Sequence, residues 1–82
     1  MKMKIEKKEN IEKAIKKLTK MAGKDYCKLQ IEYSYYKNYN HQSLVYNLFV
    51  IRKNECYKGE GKSISESFRN LKKEIKNNEI HR

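Results

Sequence analysis

The chain has 82 residues, with twenty Lys and Arg against ten Asp and Glu for a formal net charge of +10, and no proline. That length fits one domain, 1–82, with one small core, which leaves too little buried surface for a deep enclosed active site and points to work done at the surface. No apolar run is long enough to cross a bilayer, and Met1-Lys2-Met3-Lys4-Ile5-Glu6 leads straight into charged residues instead of a signal-peptide apolar stretch, so the expectation is a soluble cytoplasmic protein without a membrane partner.

The first element is a helix expected over about 5–22. Ile11, Ala14, Ile15, Leu18, Met21 and Ala22 recur at three- and four-residue steps and so share one stripe, with Lys13, Lys16, Lys17 and Lys20 on the remaining surface. Glu9–Lys13 and Glu12–Lys16 are i,i+4 pairs in the favourable orientation, and Gly23 suits the positive-φ position that ends a helix.

The period then changes from 3.6 to two. Cys27, Leu29, Ile31, Tyr33 and Tyr35 alternate with polar residues and Tyr36, predicting a strand over about 26–36 with one buried face. A polar loop, Lys37 to Gln42, leads to a strand over about 43–52. This second strand is apolar on both faces, Leu44, Tyr46, Leu48 and Val50 on one and Val45, Phe49 and Ile51 on the other, as expected at the centre of a sheet. Lys53-Asn54 makes a tight turn into a short strand over about 55–58, stopped by Gly59-Glu60-Gly61.

The last helix is expected over about 64–77. Ser63-Ile64-Ser65-Glu66 has the form of a capping box, Ile64, Phe68, Leu71 and Ile75 make the apolar stripe, Arg69, Lys72, Lys73 and Lys76 lie off it, and Asn77-Asn78 is a plausible stop. The fold class is α+β: α-β-β-β-α, a three-stranded antiparallel meander with two helices on one face, because each element has one apolar face to bury.

The basic excess is concentrated on the helical segments. Residues 1–24 carry +6 and residues 62–82 carry +3, while residues 25–61 are nearly balanced. Such a field attracts phosphate backbones or an acidic protein surface; the plainer reading is a set of solvated helix faces. Seven tyrosines, Tyr26, Tyr33, Tyr35, Tyr36, Tyr39, Tyr46 and Tyr57, are confined to the strand and loop region. Those on an open sheet face can stack on unpaired bases or anchor a protein interface, and the others pack the core. The stretch from Gly59 to Ser63 ends at a helix N-terminus, a natural place for a phosphate oxygen with Lys62 adding charge, or simply a well-capped turn.

Catalysis and cofactors are not expected. Cys27 and Cys56 lack metal or redox spacing and read as reduced packing thiols, His41 and His81 are the only histidines, and no paired carboxylates frame a cleft.

The element order, His41 in the first hairpin loop, the apolar strand after it, and Gly59-Glu60-Gly61-Lys62-Ser63 leading into a helix with Glu66 and Ser67 resemble the double-stranded RNA-binding domain family. The likeness is most specific over the C-terminal half. Small phage and mobile-element proteins also use compact folds of this order. In that family the first helix and first hairpin loop meet successive minor grooves, and lysines at the start of the second helix grip phosphates between them. The resemblance implies contacts from Lys13, Lys16, Lys17, Lys20, His41 and Lys62. The chain departs from the family at Ile64, Ser65 and Phe68, where basic residues are usual, and lacks the glycine and proline before the loop histidine.

The expected function is therefore binding of structured or double-stranded nucleic acid, RNA or DNA. Lys13, Lys16, Lys17, Lys20, Lys62, Ser63, Arg69, Lys72 and Lys73 would serve phosphates, with His41 in a groove. The alternative is a phage-encoded anti-defence inhibitor or adaptor of the anti-CRISPR type. It would dock on a nucleic-acid-processing protein complex through Tyr33, Tyr35, Tyr36, Tyr39, Tyr46 and Tyr57 or through the basic helices. The same tyrosines could also make a homodimer.

Overall fold

A computed structural model describes residues 4–39 and 41–80. Asn40 of the expected loop, His81 and residues 1–3 lie outside them, as does the side chain of Tyr39. The element order is α1 (Lys8–Ala22), β1 (Cys27–Tyr36), a single 3-10 turn (Lys37–Tyr39), β2 (His41–Arg52), β3 (Glu55–Gly61) and α2 (Ile64–Ile80). The three strands form an antiparallel sheet in the order β1-β2-β3. None of the described helices is long and apolar enough to cross a membrane.

Opposed residues in an antiparallel ladder share a face, so the pairing sorts the sheet. Leu44, Tyr46, Leu48 and Val50 of β2 line up with Tyr33, Ile31, Leu29 and Cys27 of β1, and Tyr46, Leu48 and Val50 with Gly61, Gly59 and Tyr57 of β3. This face packs against Ala14, Leu18 and Ala22 of α1 and Ile64, Phe68, Leu71 and Ile75 of α2 in one continuous core. Both helices therefore cover the same side. The other face carries Lys28, Gln30 and Glu32 on β1, Val45, Asn47, Phe49 and Ile51 on β2, and Cys56, Lys58 and Glu60 on β3.

Several expectations are corrected. Helix α1 starts at Lys8 and not near Ile5, because Glu6 is engaged elsewhere: its N–H donates to Tyr46 Oη at 2.7 Å, and Lys7 keeps an extended ψ of 147°. Ile15 is 46% exposed because it sits on the flank of the stripe, away from α2. Strand β2 begins at His41, paired with Tyr36, so the first loop is shorter than the polar run suggested. Tyr33 and Tyr35 share the core-facing register yet are 47% and 55% exposed, lying on an edge strand beyond the core cluster.

Strand β3 does not stop at Gly59 but runs to Gly61. Its glycines are contact points: a Cβ on Gly59 would meet the Ser67 carbonyl oxygen and Leu71, and one on Gly61 would lie 2.8 Å from Ser67 N. Ser67 is fully buried, its Oγ 2.8 Å from the carbonyl oxygens of both Tyr46 and Ser63. Small residues on both sides thus let α2 lie directly on β3. Asn70 Nδ2 donates to Glu60 O at 2.6 Å, and Lys58 N–H donates to Glu74 Oε2 at 2.8 Å, so α2 also satisfies backbone groups along the free edge of β3. Helix α2 continues past Asn77-Asn78, where Asn78 Nδ2 bonds back to Glu74 O at 3.0 Å instead of ending the helix.

Candidate functional site

Helices α1 and α2 flank an open groove of about 560 Å³. Ala14, Ile64 and Phe68 form its apolar floor, and Lys13 and Lys17 from α1 face Arg69 and Lys72 from α2. The spacing explains the convergence: Lys13 and Lys17 are four residues apart, Arg69 and Lys72 three, so each pair stands on one flank of its helix beside the buried stripe. Lys17 Nζ sits 4.8 Å from the centre of the Phe68 ring, a cation–π contact that holds the ammonium over the groove floor. None of the four cations has a carboxylate within ion-pair distance among the described residues. The one carboxylate in the groove lining, Glu6, accepts a hydrogen bond from Ile64 N–H at 2.6 Å. Its charge is directed to the α2 N-terminus, where the helix dipole favours an anion.

Of the two readings open for the Gly59–Ser63 stretch, that contact favours the capped turn, since Glu6 already supplies an anion at the N-terminus of α2. The capping box is also only half made: Ser63 Oγ accepts from Glu66 N–H at 3.1 Å, and no return bond from the Glu66 carboxylate is present among the described residues. Ser63 is therefore a helix cap.

His41 and Lys62 are brought together in a second, smaller cleft of about 270 Å³, which Lys4 also lines. It lies where β3 has ended: β2 pairs with β3 only from Tyr46 onward, leaving residues 41–45 bonded to β1 alone. His41 also stacks in a tilted arrangement on Tyr36, ring centres 5.9 Å apart. The two clefts flank the segment Lys4–Glu6, with Lys4 in one and Glu6 in the other.

The remaining candidates are more dispersed. Lys20 continues the Lys13–Lys17 flank at the next turn, Lys16 projects from the outer side of α1, and Lys73 is exposed on α2 outside the groove lining. Of the tyrosines, Tyr46 and Tyr57 are core residues at 1% and 5% exposure, which removes them from any surface. Tyr57 Oη donates to Glu55 Oε2 at 2.7 Å. Tyr33, Tyr35 and Tyr36 are exposed at one end of β1, Tyr33 donating to Gln42 Oε1 at 2.8 Å.

Lys4 was not singled out from the sequence, and neither was the cluster on the open face of the sheet. There Phe49 stands between Lys28 and Lys58, whose ammonium groups lie 5.7 and 5.8 Å from its ring centre. The alternation of β1 marks Lys28 as outward-facing, but only the strand register aligns all three residues. No family model, curated protein or solved structure matches this chain.

Proposed function

We propose that this protein binds structured or double-stranded nucleic acid through phosphate contacts made by the facing helices. The observation that carries the reading is the convergence of Lys13, Lys17, Arg69 and Lys72 on one groove in which Glu6, the only lining carboxylate among the described residues, is already bonded to a backbone N–H. Four cations with no carboxylate partner among the described residues, two on each wall, form a concave positive surface, and binding there releases condensed counterions from the phosphate backbone. Lys20 extends the α1 wall, and Lys16 and Lys73 contribute field more than contact.

The α-β-β-β-α order with both helices on one side is compatible with the arrangement of double-stranded RNA-binding domains. On that likeness, α1 and the cleft holding His41, Lys62 and Lys4 would meet separate stretches of one duplex. Ile64 and Phe68 are buried, so phosphate contact shifts from the first turn of α2 to Arg69 and Lys72. Titration by fluorescence anisotropy against double-stranded RNA, double-stranded DNA and single strands of equal length tests the reading. Saturable duplex binding that survives near-physiological salt supports it, and uniformly weak binding that vanishes with salt rejects it.

A second reading has one observation behind it: Tyr33, Tyr35 and Tyr36 are each about half exposed at one end of the sheet. Exposed aromatics of this kind anchor protein interfaces, which suits an inhibitor or adaptor that docks on a nucleic-acid-processing complex, as phage anti-defence proteins do.

A further inference from the structure

We propose that the open face of the sheet is a second nucleic-acid site, at which an unpaired nucleobase stacks on Phe49 while Lys28 and Lys58 take the flanking phosphates. The inference stands on geometry separate from the helix groove. Phe49 is on the central strand, half-buried, with no helix over it; Lys28 and Lys58 are its direct cross-strand neighbours on β1 and β3. Both ammonium groups lie within cation–π range of the ring, at 5.7 and 5.8 Å. Tyr26, Ile51 and Cys56 complete a shallow hollow of about 190 Å³ around the ring, and Tyr26 O accepts from Ile51 N–H at 2.8 Å, which fixes the hollow's outer wall to the sheet.

A flat apolar ring between two cations matches the chemistry of a nucleotide, whose base offers a π-face and whose phosphates are anionic on either side. Among the described residues no carboxylate lines the hollow. Glu32 and Glu60 lie on the same face further along their strands, which limits the footprint to the end around Phe49. An acidic peptide would suit the lysines but would leave the ring face unused.

The test is anisotropy titration of the full chain with a labelled single strand of about ten nucleotides and with a duplex, at near-physiological salt. Phe49→Leu, which keeps apolar volume and removes the π-face, is expected to weaken single-strand binding roughly tenfold while leaving duplex binding unchanged. Should Phe49→Leu fail to fold, the double variant Lys28→Ser with Lys58→Ser, both exposed, carries the same test. Equal single-strand affinity for wild type and variant overturns the proposal, and so does a parallel loss on the duplex. If the duplex does not bind at all and Phe49→Leu still weakens the single strand, the groove reading fails and this one stands.

Discussion

Ile64 N–H donates a 2.6 Å hydrogen bond to Glu6 Oε2, joining the segment ahead of the first helix to the first turn of the last one, 58 positions away. Glu6 N–H in turn donates to Tyr46 Oη on the central strand. Glu6 is thus a bracket between α2 and the core, and it occupies the N-terminus of α2, where the helix dipole favours an anion.

Removing that bracket should separate stability from binding. Glu6→Ala is expected to cost about 1–2 kcal/mol, because a partly buried helix N–H loses a charged acceptor, and Tyr46→Phe about 1 kcal/mol. Because both act through Glu6, the double variant should fall short of the sum in urea denaturation. The same Glu6→Ala change removes a carboxylate from the groove lining, so duplex affinity should rise although stability falls.

Gly59 should tolerate no side chain. A Cβ there meets the Ser67 carbonyl oxygen and Leu71, both held by the packing of α2 on β3, so Gly59→Ala is expected to cost about 3 kcal/mol or more. Gly23→Ala faces open space and is opposed by the backbone alone, φ 64° with ψ −118°, a combination that side chains rarely adopt, for a loss of about 2 kcal/mol. Chemical denaturation of the pair separates crowding from backbone strain.

The β2–β3 turn leaves room for improvement. Lys53 and Asn54 both have positive φ, 51° and 66°, the pattern of a type I′ hairpin turn, and lysine is a poor occupant of the first position. Lys53→Asn should raise stability by about 0.5 kcal/mol, read as a higher thermal midpoint.

Much of the fold was legible because its signals are local. The 3.6-residue stripe of Ile64, Phe68, Leu71 and Ile75 and the two-sided apolar pattern of β2 each specify an element and its buried face without reference to the rest of the chain. What escaped depends on contacts between distant residues. Gly59 and Gly61 read as punctuation because a glycine that stops a strand and one that admits a helix look alike in sequence; the approach of Ser67 decides between them. Tyr46 and Tyr57 stayed open between core and interface because tyrosine fits either, and register assigns them to the helix side. The lysine cluster was half legible. Helical spacing put Lys13 and Lys17 on one flank, but only the packing of the helices set them opposite Arg69 and Lys72. The Lys28–Phe49–Lys58 row needed the pairing of three strands.

The salt dependence of duplex binding tests the helix groove most directly. Wild type would be compared with Lys13→Glu/Lys17→Glu, and with Lys24→Glu/Lys53→Glu, which changes net charge equally outside the groove lining. The groove pair should lose affinity at least tenfold and flatten the slope of log affinity against log salt by roughly two, one for each lost phosphate contact, while the control pair keeps the wild-type slope. Identical slopes for the two double variants would contradict the account, because the charge would then act as a diffuse field and not through the groove.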